Sequence, residues 1–197
     1  MKDFEQYSDL ELSIILNSDD STKAKHAFDE LYRRYSKLIY TYCLKILRDE
    51  ENAKDAFQDT FVKFLKIISK KEGIEIENLK GYLMKIAHNV CLDKVDEIKK
   101  MPEPLEQTVG RFYKQRFERK EEKEIIDAAL DKLPFIMKET LMLKEYLNYN
   151  YDEIGEILDM SRGAVASNIH RAKEKLREIL APYFKEYVKK EKEKKIE

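Results

Sequence analysis

The chain has 197 residues, of which 43% are hydrophobic and 39% are charged, and its 38 basic and 39 acidic side chains give a formal charge of −1. This hydrophobic share excludes an intrinsically disordered chain, and the presence of only five glycines and four prolines argues against a turn-rich all-β protein. The composition therefore predicts a helical protein with long solvated faces, in one domain or two small ones.

The sequence contains no apolar run close to the roughly 20 residues that span a membrane. Its N-terminus is acidic and lacks the basic start of a secretion signal. The two cysteines, Cys43 and Cys91, are too few for a disulfide framework. We therefore expect a cytoplasmic protein with no membrane insertion.

The first part of the chain predicts a short helix followed by two long ones. Residues 9–18 form the short helix, and a longer one follows the polar residues 19–21. Its apolar side chains recur every three or four residues, the period of a buried helical face: Phe28, Leu31, Tyr35, Leu38, Tyr42 and Ile46. Asp49 is a predicted N-cap for the next helix. The buried face of that helix is predicted to contain Ala53, Phe57, Phe61, Phe64 and Ile68.

The helical period is lost around Gly73 and returns in a third long helix, predicted at about 79–95. Cys91 is a further candidate for its inward face, which contains Leu79, Leu83, Ile86 and Val90. Beyond this helix, Pro102, Pro104 and Gly110 punctuate a stretch without strong periodicity, which predicts a linker.

Helical order resumes by about Glu121, and Pro134 predicts the boundary between two helices. The apolar residues of the first are Ile125, Ile126, Ala129, Leu130 and Leu133. The second is predicted to include Met137, Leu141, Lys144 and Tyr146.

Residues 151–179 predict a helix-turn-helix. Asn150 and Glu153 have the spacing of a capping box, and Ser161 is a predicted N-cap after a tight turn at 159–160. Gly155 is small at the point where the helices must approach closely. The inward residues are Ile154, Ile157 and Leu158 in the first helix, and Val165, Ile169, Ala172, Leu176 and Ile179 in the second.

The charge of the chain reverses at this turn, from −7 over residues 121–160 to +3 over residues 161–180. In a helix-turn-helix the second helix enters the DNA major groove, where arginine and asparagine can bond base edges. Its predicted outward face has no carboxylate before Glu174 and consists of Arg162, Gly163, Ala166, Ser167, Asn168, His170, Arg171 and Lys173. The alternative is an ordinary helical hairpin with a solvated outer face.

Two blocks of the sequence together resemble the extracytoplasmic-function (ECF) type of bacterial RNA polymerase sigma factor. Within residues 27–95, the family's region two is matched by ELYRRY, DAFQDTF and YLMKIAHNVCLD. Within residues 129–180, region four is matched by ALDKLP, YDEIGEIL and VASNIHRAKEKL. Helix-turn-helix patterns alone are common, whereas these two blocks in this order are specific.

The resemblance implies an all-α protein of two small helical domains joined by a linker. Residues 1–95 would form the N-terminal domain, 96–120 the linker, 121–181 the helix-turn-helix domain and 182–197 a charged helical tail. The protein would bind core RNA polymerase, direct it to promoter DNA and promote melting, without catalysis of its own. An anti-sigma factor is an expected further partner.

The resemblance also implies three sets of site residues. Contacts to polymerase are expected from Asp55, Gln58 and Asp59. Recognition of single-stranded DNA in the minus-ten element is expected from Tyr82, Lys85, His88, Asn89 and Lys94. Duplex recognition of the minus-thirty-five element is expected from Ser161, Arg162, Ala166, Ser167, Asn168, His170, Arg171 and Lys173.

Each set has a purely structural alternative. A polar outer face, such as the one around Asp55, is what any amphipathic helix has. Tyr82 could equally be a core aromatic residue with its hydroxyl at the rim. For Asn89 the sequence favours the functional interpretation instead: its helix propensity is poor, which indicates a loop, and a loop would suit base capture.

The sequence departs from the family pattern at two places. The string of arginines common after Asp93 is interrupted here by Asp96 and Glu97, and Ala166 and Asn168 stand at positions that are often basic. Fewer cations predict weaker non-specific DNA binding and a shallower salt dependence.

Two other functions are consistent with parts of the sequence. One is a stand-alone transcription regulator that uses only the helix-turn-helix, and the other is a helical interaction protein. The His88–Cys91 pair is too small for a metal site, and no phosphate loop or nucleophile motif appears, so we expect no metal, cofactor or catalytic residue.

Overall fold

The protein is described by a computed structural model that covers residues 4–70, 76–100 and 121–194. A short 3-10 helix, Phe4–Gln6, precedes eight α-helices, and the described residues contain no strand. The predicted all-α fold class is confirmed. The helices are α1 (Asp9–Leu16), α2 (Ser21–Leu47), α3 (Glu50–Lys70), α4 (Leu79–Lys100), α5 (Glu121–Asp131), α6 (Phe135–Glu145), α7 (Tyr151–Leu158) and α8 (Arg162–Lys194).

The helices belong to two compact units: α1 to α4 form the first, and α5 to α8 make up most of the second. In the first unit α2 packs against α1, α3 and α4, and in the second α8 packs against α5 and α6. Gly73 and the predicted linker residues Pro102, Pro104 and Gly110 lie outside the described residues. Residues 96–100, which were also predicted as linker, instead continue α4.

Side chains define where the first helices begin. Ser8 and Glu11 form a capping box at α1, with a distance of 2.7 Å from the Ser8 amide nitrogen to Glu11 Oε2. This hydrogen bond lowers the pKa of Glu11. Asp20 caps α2 by accepting from the amides of Thr22 and Lys23. Each cap satisfies amides that have no partner within the helix.

The predicted buried face of α2 is only partly correct. Leu31, Tyr42 and Ile46 are buried, whereas the rest of the predicted stripe is half-buried: Phe28, Tyr35 and Leu38. The prediction missed three buried hydrophobic residues, Ala27, Ile39 and Cys43. These lie next to the predicted stripe on the helical surface, because α2 packs against three helices and buries a wider face than one stripe.

The N-cap predicted at Asp49 is confirmed, since its Oδ1 accepts from the Asn52 amide at 2.8 Å. On α3 all the predicted core residues are buried except Phe57, which is half-buried. Phe57 joins a cluster of aromatic rings between α2 and α3, with ring centroids 5.3 Å from Phe61 and 5.8 Å from Tyr32. The whole predicted inward face of α4, including Cys91, is buried.

In the second unit Pro134 separates α5 from α6, as predicted. Ala129, Leu130 and Leu133 are buried, but Ile126 is 42% exposed and does not belong to the described core. Helix α8 continues through Pro182 to Lys194, so the predicted helical tail is an extension of the second helix of the motif.

Candidate nucleic-acid and polymerase interfaces

Helices α7 and α8 form the predicted helix-turn-helix, and backbone geometry fixes the turn. Asp159 adopts a left-handed conformation with φ of 53°, and the Met160 amide donates to the Gly155 carbonyl at 2.9 Å. A Cβ atom on Gly155 would lie 2.6 Å from the Met160 carbonyl oxygen. The turn is therefore closed by a backbone approach that only glycine allows, as the sequence indicated.

Both helices of the motif begin at the predicted caps. Asn150 Oδ1 accepts from the amides of Asp152 and Glu153, and the Glu153 carboxylate accepts from the Asn150 amide at 2.6 Å. Ser161 Oγ accepts from the Ala164 amide at 3.2 Å. These bonds fix the first turn of α8, from which a helix-turn-helix reads base edges.

Most of the predicted duplex-reading residues share one solvent-facing surface of α8, which we call the recognition face. Ala166 is half-buried, and the exposed members are Ser161, Arg162, Ser167, His170, Arg171 and Lys173. Gly163 is also exposed, and a Cβ atom there would meet nothing within 4 Å. The face offers guanidinium, hydroxyl, imidazole and ammonium groups, which suit phosphate and base-edge contacts.

Asn168 corrects the sequence prediction, because it points inward and is only 7% exposed. Its Nδ2 lies 4.0 Å from the Met160 sulfur. Asn168 follows buried Val165 by three residues and precedes buried Ala172 by four, so it lies on the inward face of α8. The predicted inward stripe, which contains Val165, Ile169 and Ala172, did not include Asn168 and so left it on the outer face.

Three members of the recognition face bond to groups on α8 itself. Arg171 donates to Ser167 Oγ at 2.9 Å and to the Ser167 carbonyl at 3.3 Å. His170 Nε2 lies 3.4 Å from the Glu174 carboxylate. The Arg171 guanidinium is thus oriented by Ser167 while it remains exposed.

Two other cations of the face pair with acids on neighbouring helices. Arg162 pairs with Asp152 of α7, and its guanidinium carbon lies 5.9 Å from the centre of the Tyr151 ring. Lys173 pairs with Glu145 of α6 at 2.8 Å. These two acids were not predicted as part of the site, although the charge reversal at the turn was the available signal.

Helix α4 carries the predicted single-strand residues, and it is continuous from Leu79 to Lys100. Asn89 is exposed on this helix, so the loop favoured by its propensity is wrong. Packing explains the difference, because its neighbours Val90 and Cys91 are buried and hold the segment helical.

His88 is a second correction, because it is 8% exposed and its ring is not available to phosphate. It lies four residues after Met84 and three before Cys91, both fully buried, so it belongs to the inward face of α4. Tyr82, Lys85 and Lys94 are half-buried. The available set on α4 is therefore Tyr82, Lys85, Asn89 and Lys94.

The predicted polymerase-binding residues Asp55, Gln58 and Asp59 are all exposed on α3. Their spacing of three and four residues places them on one face. Val62 and Leu65 continue this face toward the helix end and are 47% and 38% exposed. These two apolar residues were not predicted as part of the site, although the same spacing indicates them.

The described residues contain no group of three or more potential metal-ligating side chains. Among these residues there is likewise no helix with the length and apolar character needed to cross a membrane.

Comparison with known proteins assigns both units to one family. A family model of sigma-70 region 2 matches residues 31–100, and one of sigma-70 region 4 matches residues 123–176. The RNA polymerase sigma factor YlaC of Bacillus subtilis (strain 168) is 31% identical over 163 residues, which cover 79% of this chain and 92% of YlaC. The chain belongs to the ECF-type sigma factors of the sigma-70 family. It is therefore a non-catalytic initiation factor that binds core RNA polymerase, directs it to promoters and promotes DNA melting.

Other comparisons agree with this family. The ECF RNA polymerase sigma factor SigE of Mycolicibacterium smegmatis is 25% identical over 87% of this sigma factor and 68% of SigE. The sigma factor RpoE of Bartonella quintana, solved in complex with the anti-sigma factor NepR, has a TM-score of 0.60 at 19% identity and covers 78% of this chain and 96% of that chain. CnrH, solved in complex with the cytosolic domain of CnrY, has a TM-score of 0.66 at 21% identity, with coverages of 88% and 97%. The two solved structures share the fold.

Proposed function

We propose that this sigma factor uses three separate surfaces during initiation. The recognition face of α8 reads duplex DNA at the minus-thirty-five element. Helix α4 captures unpaired DNA at the minus-ten element, and the exposed face of α3 binds core polymerase. The observation that carries this assignment is the basic recognition face that directly follows a glycine-closed turn in the part of the chain matched by region 4.

Duplex reading is supported by the chemistry and exposure of the recognition face. Arg162 and Arg171 each offer several donors to guanine or phosphate, and Ser167 and His170 add shorter polar groups. All four are exposed. Phosphate contacts carry no sequence information, so the selectivity of this basic surface depends on its contacts to base edges.

Single-strand capture is assigned to Tyr82, Lys85, Asn89 and Lys94 on α4. Removing a base from the stack costs a few kcal/mol, which stacking and hydrogen bonds to the base must offset. Asn89 has an amide that can bond a base edge, and half-buried Tyr82 has an aromatic ring on the same helix. His88 is excluded from this set by its burial.

Polymerase binding is assigned to Asp55, Gln58 and Asp59. Their side chains are exposed on the helix that also carries exposed Val62 and Leu65. A surface with polar groups beside apolar ones is typical of a protein interface. We assign the first unit to polymerase binding and minus-ten recognition, with α4 as its last helix, and the helix-turn-helix unit to the minus-thirty-five element.

We further propose that an anti-sigma factor regulates this protein. The likeness in fold to RpoE, which was solved with the anti-sigma factor NepR, supports an external inhibitor. We expect this inhibitor to cover the polymerase-binding surface. The protein acts in the cytoplasm, where core polymerase transcribes. Purification of the tagged chain from its native cells tests this proposal: a stoichiometric partner that is released on induction supports it, and a pool that is always free and active contradicts it.

An assay that separates the surfaces tests the main assignment. Holoenzyme would be assembled with wild-type chain or with one variant in each surface, and polymerase binding, duplex recruitment and DNA opening would be measured independently. We expect Asp59→Ala to impair the first, Arg171→Ala the second and Asn89→Ala the third. Equal loss of all three activities in every folded variant would contradict separate surfaces.

A further inference from the structure

We infer that Asp152 and Glu145 limit the affinity of free sigma factor for DNA, because their carboxylates form ion pairs with two cations of the recognition face, Arg162 and Lys173. Duplex phosphates have to displace these carboxylates before they can contact Arg162 and Lys173. The inference rests on the proposed DNA-reading role of α8 and adds two residues of other helices that control it.

The Arg162 side chain is held by two groups of α7. Its Nη1 atom bonds the Asp152 carboxylate, and its guanidinium lies over the Tyr151 ring. The position of Asp152 is itself fixed, because its amide donates to the N-cap Asn150 at 2.9 Å. The carboxylate therefore stands where a DNA phosphate would compete for the same guanidinium.

Lys173 repeats this arrangement about three turns further along α8. Its ammonium lies 2.8 Å from the carboxylate of Glu145, the last residue of α6. The two pairs come from different helices, yet each places an acid of the net-negative segment 121–160 on a cation of the recognition face. The acidic segment before the turn and the basic segment after it are thus joined by two ion pairs.

The exposure of the pairs determines how strongly they act. The side chains of Arg162 and Asp152 are 67% and 61% exposed, and those of Lys173 and Glu145 are 46% and 45% exposed. Such exposed pairs are weak and screened by salt, so a promoter that also bonds Arg171 and Ser167 can displace them. Non-specific DNA forms phosphate contacts without matching base contacts, so it recovers less binding free energy when it displaces the carboxylates. The acids therefore suppress non-specific binding more than specific binding.

Anisotropy titration of full-length protein with a labelled duplex of mixed sequence, at several salt concentrations, tests the inference. Asp152→Asn should tighten non-specific binding by about two- to fivefold at low salt, the range expected from an exposed pair. Glu145→Gln should tighten it in the same direction, and high salt should reduce both effects. Thermal unfolding of each variant checks that the fold is retained.

Glu178→Gln is the matched control, because it removes one negative charge from α8 at a distance. Glu178 lies 16 residues after Arg162, which is roughly 24 Å along the helix and more than two Debye lengths at about 0.1 M salt, so at this salt concentration it controls for net charge at the Asp152–Arg162 pair. Because Glu178 follows Lys173 by only five residues, we expect Glu178→Gln to tighten binding less than Asp152→Asn does. If Glu178→Gln tightened DNA binding as much as Asp152→Asn does, the effect would come from net charge alone, and the inference would be overturned.

The double variant Asp152→Asn/Arg162→Ala separates this inference from the proposed function. Once Arg162 is absent, removal of the Asp152 charge should no longer tighten binding. If Arg162→Ala weakens DNA binding but Asp152→Asn does not strengthen it, the carboxylate inference alone fails. If neither Arg162→Ala nor Arg171→Ala weakens DNA binding, the assigned role of α8 fails instead.

Discussion

The Asp55 carboxylate on α3 lies 3.8 Å from the Lys94 ammonium on α4. This pair joins a residue assigned to polymerase binding to one assigned to single-stranded DNA. A second pair, Lys63 with Asp93 at 3.2 Å, joins the same two helices. Both acids are about two-thirds exposed, so the pairs add little to stability.

Asp55→Asn separates the partner-binding role of Asp55 from its role in the ion pair. We expect core-polymerase affinity to fall by about two- to tenfold, as for the loss of one polar contact, measured by titration with labelled polymerase. Asp93→Asn breaks the other pair between α3 and α4 but lies outside the proposed polymerase face, so it should leave this affinity unchanged. Equal losses in the two variants would assign the effect to helix pairing.

Arg171→Ala should reduce recruitment of holoenzyme to a cognate promoter duplex by about five- to one-hundredfold, the range for a lost bidentate base contact. Binding to core polymerase should not change. Arg177→Ala removes the same charge six residues further along α8, beyond the predicted duplex-reading residues, and serves as the control. A pull-down in which Arg171→Ala abolishes polymerase binding would contradict the assignment.

Asn89→Ala should leave the closed complex intact and reduce DNA opening by about fivefold, the value of one hydrogen bond to a captured base. Permanganate reactivity of unpaired thymines measures opening, and duplex affinity measured in parallel is the control. Unchanged thymine reactivity would remove Asn89 from the single-strand site.

Two glycine substitutions test the geometry of the turn. Gly155→Ala should destabilise the protein by about 1–3 kcal/mol, because the added Cβ meets the Met160 carbonyl oxygen at 2.6 Å. Gly163→Ala places its Cβ in open space and should stabilise α8 by up to about 1 kcal/mol. Urea unfolding measures both changes. A destabilisation by Gly163→Ala as large as that by Gly155→Ala would disprove the close-approach explanation.

Glu30 gives the N-terminal unit a defined pH dependence. It is 6% exposed, and hydrogen bonds from Arg33, with a smaller contribution from Arg34, hold its pKa below the ordinary value of 4.5. Because the folded-state pKa is lowered, this stabilisation is present above pH 4.5 and is lost as the pH falls through the folded-state pKa. Glu30→Gln should cost about 1–3 kcal/mol at neutral pH.

Urea unfolding of wild type and Glu30→Gln at several pH values tests this prediction. The difference between the two proteins should shrink as the solution becomes more acidic, since protonated Glu30 resembles glutamine. All other carboxylates titrate in both proteins, so their contributions cancel in the difference between the two unfolding free energies. A difference that is independent of pH would contradict the ionised Glu30 network.

Local signals in the sequence predicted the helix boundaries well, because they depend on residues a few positions apart. Asp49, Asn150 and Ser161 each cap the helix that follows them, and Gly155 closes the turn. The end of α4 was less predictable, since residues 96–100 contain a single apolar residue, Ile98, and so have no apolar pattern that indicates a helix.

The errors at the candidate sites concern burial, which depends on how many neighbours a helix has. His88 and Asn168 are polar residues at inward positions. The predicted inward stripe of α8 omitted Asn168, and the family resemblance assigned His88 to DNA without regard to its burial. The pairing of Arg162 with Asp152 could not be deduced from either helix alone, because it requires the geometry of the turn between them. Family resemblance supplied the roles, and only the structure showed which side chains are available.

Run-off transcription with purified core polymerase tests the central claim most directly. Fragments of native genomic DNA would be transcribed with and without the full-length chain, and RNA 5′ ends would be mapped. The account predicts discrete new start sites that depend on the chain and are used less with Arg171→Ala. Identical start sites in the presence and absence of the chain would contradict it.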